Sequence, residues 1–161
     1  MKDIKINNMK KTINKLIYSF AILSLIFSCD DVERVYYNDS AETLLSLSDD
    51  NIVLDENNAT NEILTLTWTE PEFGFNAATL YSIQIDLAGG DFSNPQIISV
   101  GSSLEKTFTV EELNAKLLSL SMTPGVEGVA SFRVKATLSE YQEIFSNVVD
   151  LNVTPYSSLL D

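Results

Sequence analysis

One residue of this chain offers sulfur chemistry: Cys29 is the single cysteine. It stands where an apolar run ends and two acids, Asp30 and Asp31, begin. A thiolate is nucleophilic at modest pH, so a cysteine side chain can accept a lipid by forming a thioether. With no second cysteine, a disulfide within the chain is excluded. Cys29 is therefore a candidate for lipidation, and the alternative is a free cysteine at the end of the preceding segment.

The segment before Cys29 has the layout of an export signal. A basic start is followed by twelve mostly apolar residues, Leu16 to Phe27, and its lysines are Lys2, Lys5, Lys10, Lys11 and Lys15. A helix needs roughly 20 apolar residues to cross the hydrocarbon core of a bilayer. The run therefore predicts a removable signal over residues 1–28 rather than a transmembrane anchor, with either Met1 or Met9 as its start.

The four residues Ile26-Phe27-Ser28-Cys29 resemble a bacterial lipobox, with Phe27 where a small residue is usual. This resemblance implies that the signal is cut before Cys29 and that the cysteine is acylated. Two or more acyl chains anchor a protein stably in a membrane, whereas one chain holds it only marginally. We therefore expect Cys29 to be a membrane anchor.

The chain contains no histidine, which excludes Ser-His-Asp and Cys-His nucleophile systems and His-ligated metal sites. Two carboxylates can hydrolyse a glycosidic bond, but no acid here stands in a recognisable motif. We therefore expect no enzymatic activity and no cofactor.

The charge of the chain limits its partners. It has 23 acidic and 10 basic residues, a formal net charge of −13. Residues 1–28 hold five of the basic residues and one acid, which leaves five basic and 22 acidic residues and a charge of −17. Such a surface repels nucleic acid and anionic lipid, and it excludes neither a protein nor a neutral glycan.

Two groups of acids raise the question of calcium. The first joins Asp49-Asp50-Asn51 to Asp55-Glu56-Asn57-Asn58, and it lacks the glycine that an EF-hand loop has at its sixth position. The second is Asp86 with Asp91 across Gly89-Gly90, which is typical of a glycine-rich turn between strands. We interpret both as turns and keep calcium as the alternative.

The remaining chain divides into an acidic tether over residues 29–44, a domain over 45–156 and a tail over 157–161. Apolar and polar residues alternate with the two-residue period of half-buried strands. The predicted strands cover residues 51–54, 64–69, 81–87, 96–100, 106–109, 132–138 and 149–153. Seven short strands separated by turns predict an all-β fold, an immunoglobulin- or fibronectin-III-like antiparallel β-sandwich.

One segment departs from this period. Thr109 and Glu112 have the spacing of a capping box, and Val110, Leu113, Leu117 and Leu120 then recur at helical spacing. This pattern predicts one short crossover helix, which Thr123-Pro124-Gly125 would end. We expect its leucines to pack on a sheet, and a partner-binding helix is the alternative.

Aromatic residues are the side chains that could contact a sugar ring. Trp68 and Tyr81 lie on the apolar faces of their strands, which predicts that they belong to the core. Phe73 and Phe75 lie between the second and third predicted strands, and we expect this pair to be exposed. They are the candidates for glycan contact, although such loop rings often cover the end of a sandwich core.

Four blocks of the sequence carry a family resemblance. They are ILTLTWTEPEFGFNAATLYSIQID, FSNPQIIS, KTFTVEELNAKLLSL and FRVKATLSEYQEIFSNVVDLNVTPY. In this order they resemble the amino-terminal immunoglobulin-like domain of SusE-type outer-membrane lipoproteins, over residues 45 to 156.

This resemblance implies a lipoprotein on the outer face of a Gram-negative outer membrane, in a starch or other glycan uptake system. Its implied partners are a TonB-dependent transporter and a SusD-like lipoprotein. Asp30 and Asp31 resemble the acidic signal that sends such lipoproteins to the cell surface. In the family, carbohydrate-binding domains follow this domain and carry the sugar sites, so the resemblance assigns no sugar-binding residue here.

Three hypotheses follow for function. The first is a noncatalytic accessory lipoprotein of a glycan-uptake system, in which this domain is a spacer or docking module. The second is a stand-alone glycan-binding module that uses Phe73 and Phe75. The third is a structural or adhesive surface lipoprotein unrelated to sugars, because the fold alone does not distinguish these functions.

Overall fold

The computed structural model describes residues 38, 41–75, 78–139 and 142–157 of the chain. The predicted signal, Cys29, Asp30, Asp31 and most of the tether lie outside the described residues. Within the described part, no helix has the length and the hydrophobicity needed to cross a membrane.

The smaller of two sheets has three strands, β1 (Leu45–Leu47), β3 (Glu62–Trp68) and β6 (Glu105–Thr109). Strand β3 is central and pairs antiparallel with both neighbours. Threonines line the side of β3 that faces away from the core, where the hydroxyls of Thr65 and Thr107 lie 3.0 Å apart. Leu64, Leu66 and Trp68 point from the opposite face into the core, as the alternation predicted.

The larger sheet has six strands: β2 (Asn51–Val53), β4 (Leu80–Leu87), β5 (Gln96–Gly101), β7 (Gly128–Ser139), β8 (Gln142–Phe145) and β9 (Val149–Thr154). Its order is β2-β9-β7-β4-β5, and β8 pairs with the second half of β7. Strand β2 runs parallel to β9, and the other pairs are antiparallel. The predicted all-β sandwich is thus confirmed.

All seven predicted strands are present, and the described residues contain two more, β1 and β8. These two are short, with three and four residues, and were not predicted. Ahead of β1, Ala41 and Thr43 are buried, and the Thr43 hydroxyl donates a hydrogen bond of 2.6 Å to the Thr69 carbonyl oxygen. Residues 41–44 of the predicted tether therefore pack on the sandwich.

Helix α1 (Val110–Ser119) follows β6 directly, and its capping box is confirmed. The Thr109 hydroxyl accepts from the Glu112 N–H, and the Glu112 carboxylate accepts from the Thr109 N–H. Leu113 and Leu117 are fully buried, so the leucines pack on the core as expected.

The helix ends four residues before the predicted Thr123-Pro124-Gly125 stop. Ser121 adopts a left-handed backbone conformation with φ 66°. This lets the N–H groups of Ser121 and Met122 bond to the carbonyl oxygens of Leu118 and Leu117, respectively. The pattern is a Schellman cap, which satisfies the last carbonyls of the helix without glycine or proline.

The chain enters and leaves the sandwich at opposite ends. Leu44 bonds to Thr69, just beyond the carboxyl end of β3, where the loop to the start of β4 begins. Tyr156 follows the end of β9, which lies beside Gly128 at the start of β7. Because β7 is antiparallel to β4, this second end lies beside the last residues of β4.

Candidate functional site

The predicted aromatic pair at the chain-entry end does not form a shared platform. Phe73 is only 3% exposed, and its carbonyl oxygen accepts from the Asn38 N–H at 2.9 Å. The expectation that both rings are exposed is therefore wrong for Phe73, which is buried. Phe75 is 37% exposed and remains accessible to solvent.

Trp68 and Tyr81 lie inside the sandwich, as predicted. Both are buried, and their ring centroids are 5.9 Å apart at an interplanar angle of 54°. Burial is also the main cause that raises the pKa of the Tyr81 hydroxyl, with a smaller contribution from the charge of Glu70. Both rings therefore belong to the core.

The outer face of the larger sheet carries a different group of side chains. Strand pairing places Gln84 of β4 opposite Arg133 of β7, and Ser82 opposite Lys135. The same pairing places Phe145 of β8 opposite Lys135. We call this surface the outer face, and its central residues are Leu80, Ser82, Gln84, Ile97, Ser99, Arg133, Lys135, Thr137 and Phe145.

Arg133 is the centre of the outer face. Its guanidinium carbon lies 4.2 Å from the ring centroids of both Phe92 and Phe145. Its Nε donates a hydrogen bond of 2.7 Å to Oε1 of Gln84, which is only 6% exposed. We call these four residues the Arg133 cluster. Planar guanidinium groups stack well on aromatic rings, so the cluster holds both rings in place.

The charge of Arg133 is partly shielded from water. Desolvation lowers the pKa of its guanidinium below the ordinary value, and the charge of Asp86 acts in the opposite direction. Among the described residues, the two ion pairs are Lys106–Glu112 and Lys135–Glu143, at 2.9 and 2.8 Å. Arg133 belongs to neither, so stacking and the bond to Gln84 take the place of a carboxylate partner.

The loop after β4 positions the second ring of the cluster. Phe92 has a left-handed backbone with φ 57°, which is uncommon for a residue that is not glycine. Its N–H donates a hydrogen bond of 2.9 Å to the Asp86 carboxylate. The backbone of Phe92 is therefore strained, and its ring lies beside Arg133. Backbone strain of this kind often occurs at functional sites.

A shallow groove of about 330 Å³ adjoins the cluster on the outer face. Besides Tyr81 and Gly101, its lining has two exposed aliphatic groups, three hydroxyls and one ammonium: Leu80, Ile97, Ser82, Ser99, Thr137 and Lys135. Because Lys135 also lies opposite Phe145, the groove and the exposed ring form one continuous surface.

Four of the acids that raised the calcium question, Asp49, Asp55, Asp86 and Asp91, accept hydrogen bonds from nearby backbone N–H groups. Asp49 accepts from the N–H groups of Asp50 and Asn51, and Asp55 accepts from the N–H of Asn57. Asp91 accepts from the Ser93 N–H. The pKa of Asp91 is lowered chiefly by the hydrogen bond from the Ser93 side chain and then by the bond from the Ser93 N–H. In the described residues, no three His, Cys, Asp or Glu side chains are grouped in a way that could hold a metal ion.

Comparison with known proteins gives one matching family and several matching solved structures. The sequence model of the SusE outer membrane protein family matches residues 30–135. No curated protein matches the chain. Among 26 matching chains of solved structures is one titled "Crystal Structure of the Periplasmic Chaperone SfaE". It is 18% identical, with a TM-score of 0.33, and the match covers 73% of this chain and 59% of the chaperone chain.

The family match covers well over half of the chain, and it includes three of the four sequence blocks that carry the resemblance and most of the cluster around Arg133. The chain therefore belongs to the SusE outer membrane protein family.

Proposed function

We propose that this chain is a noncatalytic accessory lipoprotein of a Sus-type glycan uptake system. In this proposal its sandwich is a spacer or docking domain between the membrane and the rest of the uptake complex. The observation that carries the proposal is the family match, which begins at residue 30, directly after Cys29. Acylated Cys29 anchors the chain in the outer membrane.

The path of the chain supports the role of a spacer. The polypeptide enters beside Thr69 and leaves beside Gly128, at opposite ends of the sandwich. The eight residues of β4 span roughly 26 Å at about 3.3 Å each. A domain with this path moves whatever follows it away from the anchor by about its own length.

The side chains support the absence of catalysis. The whole chain lacks histidine. The described carboxylates that have close partners bond to backbone N–H groups, to a serine hydroxyl, to an asparagine amide, or to lysines. None of these bonds pairs two carboxylates in the way that a glycosidase requires.

The proposed partners are a TonB-dependent transporter and a SusD-like lipoprotein, with Asp30 and Asp31 as the surface-export signal. Replacing both aspartates with alanine should leave the protein acylated but facing the periplasm. Protease treatment of intact cells would then spare the variant and digest the wild type. Equal digestion of both proteins would remove Asp30 and Asp31 from the proposal.

The glycan-binding alternative through loop aromatics now depends on Phe75, because Phe73 is buried. Phe75 alone is a smaller platform than the two rings beside Arg133. No observation favours the adhesive alternative.

The experiment that tests the anchor is metabolic labelling with palmitate, followed by separation of the membranes. The wild type should carry label and remain in the outer membrane, whereas Cys29→Ala should carry none and be released. Ser28→Ala is the matched control, because it keeps a small residue before the cysteine and should behave as wild type. Stable outer-membrane retention of unlabelled Cys29→Ala would overturn the proposal.

A further inference from the structure

We propose that the outer face of the larger sheet binds a neutral polysaccharide, with the ring of Phe145 as the stacking platform. This inference rests on the proposed role in glycan uptake and assigns the contact to this domain. It uses residues outside the Phe73–Phe75 loop.

The ring of Phe145 is accessible and held in position. It is 43% exposed, although the Arg133 guanidinium contacts it at 4.2 Å. Strand β8 fixes its backbone opposite Lys135. A ring that is already ordered loses little side-chain entropy when a ligand stacks on it. The flat C–H face of a pyranose fits such an aromatic surface.

The groove beside the ring supplies the polar contacts that a sugar needs. Ser82, Ser99 and Thr137 offer hydroxyls, which both donate and accept hydrogen bonds, and Lys135 offers an ammonium donor. Sugar hydroxyls have the same double capacity. The exposed aliphatic side chains of Leu80 and Ile97 border these groups, so polar and apolar contacts alternate along the surface.

The surrounding charges favour a neutral ligand over an acidic one. Lys135 is paired with Glu143 at 2.8 Å, and Asp86 lies close enough to affect Arg133. These two acids balance the two cations of the outer face. Residues 29–161 carry a net charge of −17, which repels a polyanion at longer range.

The polar middle row of the groove favours a glycan over a protein. The centres of protein interfaces are depleted in lysine and serine. Strand pairing instead places Ser99, Ser82 and Lys135 in the middle row of this surface, between a row that contains Ile97 and a row that contains Leu80 and Thr137. Its open, shallow shape suits a chain of sugars that lies along the sheet.

The test is affinity electrophoresis of residues 29–161 carrying Cys29→Ala, so that no lipid interferes. The gels contain amylopectin, mixed-linkage β-glucan, xyloglucan, galactomannan or arabinoxylan, with polygalacturonate as the acidic comparison. At least one neutral polysaccharide should slow migration. Slowed migration in none of them, or in polygalacturonate alone, overturns the proposal.

Variants then locate the site. Phe145→Ala should weaken binding by roughly tenfold or more, which is the effect expected for an anchoring aromatic side chain. Phe145→Leu retains apolar cover over Arg133 but removes the flat ring, so it should also lose binding while remaining folded. Phe145→Trp keeps a flat aromatic ring and should retain polysaccharide binding. Val126→Ala, which removes an exposed apolar side chain from a distant loop, should bind as wild type.

Two outcomes overturn the assignment. One is wild-type binding by folded Phe145→Leu. The other is loss of binding in Phe75→Ala with none in Phe145→Leu, which would place the contact at the loop. The labelling of Cys29 is independent of these gels. Labelled protein that binds no polysaccharide would leave the spacer proposal intact and remove this inference alone.

Discussion

The two faces of strand β7 are held in place by different forces. Its inner side chains, Ala130, Phe132, Val134 and Ala136, are fully buried between the sheets. Three of its outer side chains have a particular polar partner: Ser131 bonds to Asp150, Arg133 to Gln84 and Lys135 to Glu143. The inner face therefore contributes stability through buried area, and the polar bonds of the outer face hold its side chains in fixed orientations. Changes on the two faces should differ in size accordingly.

The largest effect is expected on the inner face. Phe132→Ala removes a fully buried ring and leaves a cavity, so it should lower the free energy of unfolding by roughly 3–5 kcal/mol. Urea unfolding of the Cys29→Ala chain measures this change. Phe132→Leu is the control and should recover most of the loss. A cost below about 1 kcal/mol for Phe132→Ala would mean that the inner face is not a close-packed core.

Arg133→Ala should have the next largest effect, a loss of about 1–2 kcal/mol in the same measurement. It removes contacts with two rings and leaves the buried Oε1 of Gln84 without its donor. Arg133→Lys keeps the charge but lacks the planar group and the Nε donor, so it should recover only part. Unchanged stability of Arg133→Ala would contradict the structural role of the cluster.

Ser131→Ala tests a polar contact made by a buried side chain, for comparison with the partly exposed ion pair of Lys135. Ser131 is buried, and its hydroxyl donates a hydrogen bond of 2.6 Å to Asp150. Because Asp150 is exposed and can bond to water instead, the expected loss is about 1 kcal/mol. Asp150→Asn retains an oxygen acceptor and should cost less. A larger loss for Asp150→Asn than for Ser131→Ala would show that the charge of Asp150 has another role.

The smallest effect is expected for Lys135→Met. Its ion pair with Glu143 is partly exposed on both sides, and such pairs contribute about 0–1 kcal/mol. The loss should be near the lower limit, and it should shrink further in about 1 M salt, where the Debye length is only about 3 Å. Glu143→Gln is the matched control. A salt-independent loss above 1 kcal/mol would show that Lys135 contributes through packing.

The sequence predicts the inner face well because alternation reports burial directly. The seven predicted strands are present in the structure, and the side chains of Trp68 and Tyr81 lie in the core as expected. The capping box also predicted the start of helix α1, since it depends on two residues three positions apart. Local patterns of this kind can be recognised without knowing which distant segments are in contact.

The outer face was predictable only in part. Alternation places Arg133 among the polar side chains of β7, but Phe92 and Phe145 lie in other segments, and only strand pairing brings them to it. Loop residues have no period, so nothing local distinguishes buried Phe73 from exposed Phe75. Contacts between distant segments depend on which strands pair and in which register. The sequence of one strand does not specify either.

A spacer must carry the chain from one end of the sandwich to the other, and the distance between its two ends tests this most directly. Leu44→Cys and Ser157→Cys, introduced together into the Cys29→Ser chain, place spin labels at two exposed positions. Pulsed electron paramagnetic resonance should give one distance of about 25 Å or more, the length of β4. A distance below about 15 Å, close to the roughly 10 Å that separates packed sheets, would place both ends together and contradict the spacer.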